Sequence, residues 1–292
     1  MNNSYISSFF KAISGTIDWT WRSILFEVPW YTNYFWGLIF ISLFVWFLEI
    51  IMPWRKNQSI FRKDFWLDGF YMFFNFFLFS IAISGTYKVL TLFFENIGIS
   101  SQSITLINLS KLPSWLQLLM FFILLDFVQW FTHSLLHKYR FLWRFHAIHH
   151  SVKEMGFAAH LRFHWMENIL YKPLKTLAVM LLGGFEPEQA YIVHFVAITI
   201  GHFNHANLKI TWGIFKYVLN NPVMHLYHHA YKLPKNRRRG VNYGISLSIW
   251  DYLFGTAYVP EDSGTIEIGF KGDDKVPNKF RKQLIYGFKK SN

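Results

Sequence analysis

The 292-residue sequence contains no cysteine. That excludes disulfides, thiolate-bound zinc, cysteine-held iron–sulfur clusters and thiol catalysis. Charge is scarce as well: Asp, Glu, Lys and Arg make up 16% of the chain, against roughly 25% in soluble domains. There is no internal repeat and no low-complexity linker. The first thirty or so positions mix Lys11, Asp18, Arg22 and Glu27 with aromatics, so they lack the compact apolar core and small-residue cleavage site of a secretory signal. Histidine is confined too, since all 13 lie between His133 and His229.

In place of charge there is apolar and aromatic surface. The apolar fraction is 52% and the aromatic fraction 21%, with 33 Phe, 15 Tyr and 13 Trp. A soluble protein has little use for so many rings, whereas a membrane protein sets them against acyl chains and at the interfaces. The formal net charge of +12 does not indicate nucleic acid. The basic residues stand at the ends of apolar segments and in the C-terminal third, where they meet anionic lipid, and form no stripe interleaved with exposed aromatics.

Hydropathy predicts three full transmembrane helices, near 33–52, 65–90 and 114–136, each close to the roughly 20 apolar residues that a span requires. Two shorter apolar stretches, 168–182 and 188–203, are separated by Gly183, Gly184 and Pro187. They predict a short helical hairpin that leaves one side of the membrane and returns to it. Arg55, Lys56, Arg62 and Lys63 follow the first span, and Lys138, Arg140 and Arg144 follow the third. By the positive-inside rule both loops are cytoplasmic. The expected fold is thus all-α and multi-pass, capped by a cytoplasmic His-rich helical unit. The expected divisions are an interfacial segment (1–32) lying on the bilayer, transmembrane helices (33–112), a catalytic unit (113–260) and a polar tail (261–292). A basic run at Lys235, Arg237, Arg238 and Arg239 reads as a solvated, lipid-facing loop, with docking of an acidic electron donor as a second reading.

The histidines come in groups: His133 and His137 as H-x3-H, His146, His149 and His150 as H-x2-H-H, and His225, His228 and His229 as the same pattern again. On a helix, positions i, i+3 and i+4 share a side, so each group can aim two or three imidazoles at one place. Eight imidazoles crowded together without a metal would repel one another when protonated and lack hydrogen bonds when neutral. They exceed the four ligands of one structural zinc, which points to two metal ions. His160 and His194 stand alone and read as hydrogen-bonded core residues. A membrane metal-binding or transport protein using the same imidazoles is the alternative, but it calls for a polar path that the first two spans scarcely offer.

HSLLH at 133–137, HAIHH at 146–150 and HLYHH at 225–229 resemble the three histidine boxes of the fatty acid hydroxylase and sterol desaturase superfamily. Asp126 seven residues before the first box, HAN at 205–207, NPVMHLYHH at 221–229, NYG at 242–244 and WDYLFGT at 250–256 extend the resemblance. It implies an O2-dependent hydroxylase or desaturase acting on a membrane lipid (sterol-like, fatty acyl or alkyl-glycerol), with two iron ions as cofactor. The ligands so implied are His133, His137, His146, His149, His150, His205, His225, His228 and His229, with His202 either a tenth or a supporting residue. Asp126 and Asp251 are expected to accept hydrogen bonds from ligand imidazoles. Arg162-x-His164 resembles a further element of the family, except that Trp165 replaces its proline. With no recognisable flavin or nicotinamide fingerprint, the electrons are expected from a separate ferredoxin or cytochrome.

Overall fold

The structure, a computed structural model, describes residues 2–237, 239–260 and 266–288. Among them helices dominate, in the order α1 (Asn2–Ile24), α2 (Tyr34–Ile51), α3 (Phe65–Phe73), α4 (Phe79–Asn96), α5 (Ser101–Ile104), α6 (Ser114–Lys138), α7 (Arg140–His150), α8 (Trp165–Leu181), α9 (Pro187–His205), α10 (Pro222–His228), α11 (Ile249–Leu253) and α12 (Phe280–Gln283). Three helical stretches are long and apolar enough to cross a membrane: Tyr34–Ile51, Phe65–Asn96 and Ser114–Lys138.

The pattern on α2 explains its placement. Leu38, Ser42 and Val45 are buried, while Phe40, Leu43, Phe44, Phe47 and Ile51 are exposed. The exposed residues recur at helical spacing, so this helix turns its greasiest stripe outward, as a lipid-facing helix does. The second stretch is continuous because a π-helical turn at Phe74–Leu78 joins α3 to α4. That turn aims the buried Asn75, whose amide donates to the carbonyls of Leu161 at 3.1 Å and Phe163 at 3.0 Å. A polar side chain inside a helix long and apolar enough to cross a membrane is thereby satisfied.

The structure adds contacts to three segments. The N-terminal segment runs along α4 as the helix α1: Phe9 packs where Gly85 leaves room, and Asn96 donates to the Tyr5 hydroxyl. The hairpin expected to be short is formed by α8 and α9, of 17 and 19 residues. Its tip, β2 (Leu182–Gly183), pairs in parallel with β1 (Ile107–Asn108) in the loop between the second and third spans. Gln189 donates to Gln117 at the start of α6 at 3.0 Å. The hairpin therefore reaches the end of the bundle opposite the histidines, and polar residues such as Lys172 and Lys175 keep its mean hydropathy low. The C-terminal segment docks on the bundle where it is described. Tyr71 donates to Gln283 at 2.7 Å, and the ring of Phe280 meets those of Phe70, Tyr71 and Phe74. Arg238 and residues 261–265 and 289–292 lie outside the described residues.

The basic loop after α2 sits at the histidine end of the bundle. Two of its four cations are tied into the protein: Arg55 donates to Met155 O at 3.2 Å, and Arg62 pairs with the buried Asp68 at 2.6 Å.

Candidate metal centre

Nine imidazoles meet at one end of the bundle, in two groups. His133, His137, His146, His150 and His228 form one; His149, His205, His225 and His229 form the other. Within each, the potential ligand atoms lie within 4.8 Å of one another. All nine side chains come from the end of α6, from α7, from the end of α9 and from α10 with the residue after it.

The boxes do not each serve one group. In the second box His146 and His150 go one way and His149 the other; in the third, His225 and His229 separate from His228. Helix geometry accounts for this. At about 100° per residue, i and i+4 lie about 40° apart, whereas i+3 lies about 100° from i+4. An H-x2-H-H box thus presents two imidazoles to one point and a third to its neighbour. The expectation that each box aims at a single place is corrected accordingly.

Backbone carbonyls orient most of the rings. His133 Nδ1–H donates to Tyr243 O at 2.7 Å, His137 to Arg239 O at 3.1 Å and His228 to Val241 O at 2.8 Å. Three alternate carbonyls of one short segment thus hold three imidazoles of the five-histidine group. Gly240 permits that segment: its φ is +138°, and a Cβ there would lie 2.8 Å from the Tyr243 ring and 3.0 Å from His137 Nδ1. His149 donates to Arg162 O at 3.1 Å and His205 to Gly201 O at 2.8 Å. His146 donates instead to a carboxylate, Glu167 Oε2, at 3.0 Å.

These bonds fix the tautomers. A ring that donates from Nδ1 presents only a lone pair at Nε2 when neutral. Yet Nε2 of His133 lies 3.0 Å from Nε2 of His146, and Nε2 of His149 lies 3.3 Å from that of His205. Lone pairs that face each other this closely repel unless a cation lies between them. Nε2 of His137 and of His228 are buried with no partner among the described residues. Burial first, and then neighbouring imidazoles, hold His146, His149, His150, His225, His228 and His229 well below the usual imidazole pKa range. The rings are therefore neutral near pH 7, which is the ligating form. The donor set fits two metal ions, and its all-nitrogen character suits iron among other transition metals.

The other predicted residues take different places. Asp126 accepts from Ser246 N and Leu247 N, both at 3.1 Å, and from Trp250 Nε1 at 2.9 Å. Asp251 accepts from Trp130 Nε1, Tyr243 N, Gly244 N and Thr256 Oγ1. Neither carboxylate touches one of the nine grouped imidazoles, because backbone, indole and hydroxyl donors occupy both. They pin the 243–251 segment to α6, and Asp251 thereby acts through the Tyr243 carbonyl. His202 lies outside both groups, 3.2 Å from Ser42 Oγ and 3.0 Å from His160 Nδ1. His164 caps α8 by accepting from Met166 N at 3.0 Å and donates to Leu284 O at 2.9 Å, so both of its nitrogens are used structurally. Arg162 pairs with Asp64 and Asp68 at 2.9 and 3.1 Å and offers its carbonyl to His149. His194, expected as a hydrogen-bonded core residue, makes no hydrogen bond among the described residues and is exposed: it lines a cavity and stacks on Phe76, with ring centroids 5.5 Å apart.

Sequence reasoning missed Glu167. It belongs to no box, but it is an acid at the start of an apolar helix just after the second box, and such acids are costly unless used. A carboxylate behind a ligand histidine raises its basicity, and losing one typically costs 10–100-fold in metal affinity or activity. Glu167→Gln is expected to fall in about that range, read as faster loss of metal to a chelator; loss at the wild-type rate would show that the contact does not support the ligand.

A cavity of about 710 Å³ runs through the bundle from the two histidine groups. Its wall includes His133 and His146 of one group and His149 and His205 of the other, and beyond them Phe76, Phe121, Leu125 and Val179. This is ample for a hydrocarbon chain by the usual 300–1,000 Å³ of ligand pockets.

A family model for fatty acid hydroxylase matches residues 118–256, a range that holds all nine histidines. The chain is 32% identical over 176 residues to an ornithine lipid hydroxylase from Rhizobium tropici, covering 60% of this chain and 51% of that protein. It is 28% identical over 257 residues to an alkylglycerol monooxygenase from Danio rerio, covering 82% and 50%. A very-long-chain aldehyde decarbonylase from Oryza sativa subsp. indica is 27% identical over 145 residues, covering 48% and 54%. The chain thus spans about half the length of the curated relatives it matches. No solved structure matches it.

Proposed function

We propose that this chain, whose residues 118–256 fall in the fatty acid hydroxylase and sterol desaturase superfamily, is a membrane di-iron oxygenase that hydroxylates or desaturates a lipid. One observation carries the reading: the cavity ends on imidazoles of both histidine groups, so a C–H bond at its end faces both metal sites. The relatives' names support lipid oxidation as the class of reaction; sterol-like, fatty acyl and alkyl-glycerol lipids all suit an apolar cavity.

The five- and four-histidine groups would each hold one iron. Iron so held supplies reduction of O2 and oxidation of an unactivated C–H bond. The chain's own residues do the rest. The carbonyls of Arg239, Val241 and Tyr243, together with Glu167, keep the rings turned with Nε2 inward. The Phe-rich wall excludes water and aligns the lipid. The histidine end faces the cytoplasm by the charge of its loops. Electrons come from a separate protein of ferredoxin or cytochrome type. Lys235, Arg237 and Arg239 suit an acidic donor, and the carbonyl of Arg239 is one hydrogen bond from His137.

The test is elemental analysis of detergent-purified protein from iron-rich, zinc-poor cultures, followed by comparison of cellular lipids with and without O2. Two iron ions per chain and an O2-dependent lipid product are expected. Folded protein that holds no metal would overturn the reading.

A further inference from the structure

Beyond the histidines, the cavity wall carries two lysines that the reaction does not itself require. Lys172 and Lys175 lie three residues apart on α8, so they project from one face of it, and both line the cavity. Each is partly exposed, and the cavity is part of what it faces. Neither reaches a carboxylate at ion-pair distance among the described residues. Lys172 Nζ is 3.4 Å from Ser80 Oγ and 5.7 Å from the centre of the Tyr87 ring; Lys175 Nζ is 5.6 Å from that of Tyr171. The carboxylate whose field reaches Lys175 is Asp126, already occupied by three donors. His194, on the same wall, is within electrostatic reach of both lysines.

Two adjacent ammonium groups inside an apolar bundle are costly, and ring contacts offset only part of that cost. Such charges persist where they meet an opposite charge, and no carboxylate among the described residues stands at ion-pair distance from either. We infer that Lys172 and Lys175 bind the acid group, carboxylate or phosphate, of an anionic lipid whose hydrocarbon part extends to the histidine groups. This rests on the oxygenase reading and narrows its substrates to acid-bearing lipids. Glu167, in contact with His146, precedes the lysines by five and eight residues, which puts their Cα atoms roughly 8–12 Å from its own along the helix at 1.5 Å per residue.

The test uses iron-loaded, full-length protein in an uncharged detergent. Quenching of tryptophan fluorescence (Trp19 lies on the cavity wall) reports binding of a brominated stearic acid, the lysophosphatidic acid of the same chain, and the matching fatty alcohol. The acid or the phosphate is expected to bind at least about tenfold more tightly than the alcohol, and whichever is tighter identifies the oxyanion. K172Q/K175Q should remove that preference and leave alcohol binding unchanged, while K172R/K175R keeps it. Equal binding of acid, phosphate and alcohol by the wild type overturns the inference even if the glutamine variant does not fold, as does a folded K172Q/K175Q that retains the preference. Failure of the oxygenase reading looks different: the anion preference persists in protein that takes up no iron.

Discussion

With one metal ion in each histidine group, as proposed, His225→Ala is expected to lose one of the two and at least about a thousandfold in lipid oxidation, equivalent to about 4 kcal/mol in the barrier. His225 belongs to the smaller group, with His149, His205 and His229. It is central there: its Nε2 is 2.9 Å from that of His205 and 3.2 Å from that of His229. A four-ligand site with one imidazole removed is left three, whereas the five-histidine group keeps four after a single loss. His150→Ala in the larger group is therefore expected to retain more metal than His225→Ala. His194→Ala and His202→Ala, outside both groups, are expected to retain two ions. The measurement is metal stoichiometry after gel filtration into chelator-containing buffer, with product formation scored by mass spectrometry. Two iron ions retained by His225→Ala would sink the assignment of the four-histidine site.

The sequence and the structure agree where a physical signal is local and periodic. Three apolar runs mark the helices that, among the described residues, are long and apolar enough to cross a membrane, and eight of the nine grouped imidazoles follow from i, i+3, i+4 spacing alone. His205 stands by itself near the end of α9 and enters only through resemblance, because its neighbours in the group are distant in sequence. The division of each H-x2-H-H box between two groups is implicit in the helical angle but shows only when a second helix supplies the facing ligands. The depth of the α8–α9 hairpin was hidden by Lys172, Lys175 and His194, which lower the hydropathy of its segments while lining the cavity. The docking of the tail was hidden because Phe270, Phe280 and Tyr286 are scattered among charges and have no period. Glu167, Asp126 and Asp251 illustrate a common difficulty. A buried acid in such a chain implies a function, but which donors it meets is set by contacts more than a hundred residues apart for Asp126, and no local rule reports them.

Asp251→Ala is expected to act on the other metal site from a distance. Its Oδ1 accepts from Trp130 Nε1 at 3.0 Å, Tyr243 N at 2.8 Å and Thr256 Oγ1 at 2.6 Å, and its Oδ2 accepts from Gly244 N at 2.8 Å. Alanine leaves these donors without their acceptor in a fully buried position. At 1–3 kcal/mol for each buried donor left unsatisfied, two uncompensated donors already destabilise by about 4 kcal/mol. The functional consequence follows from what these bonds hold. Tyr243 and Gly244 end the segment whose carbonyls at 239, 241 and 243 orient His137, His228 and His133, all in the five-histidine group. Releasing it frees three rings of one site and none of the other. Asp251→Ala is thus expected to lower the thermal midpoint and bring iron from two ions toward one, the ion retained being that of the four-histidine group. Combining it with His225→Ala should then remove both. The milder Asp251→Asn keeps the shape but turns an acceptor into a donor facing N–H groups, so it should weaken metal retention by about 10–100-fold, as lost support behind a ligand usually does. If Asp251→Ala melts at the wild-type temperature and retains both ions, the segment does not depend on this carboxylate for holding its three imidazoles.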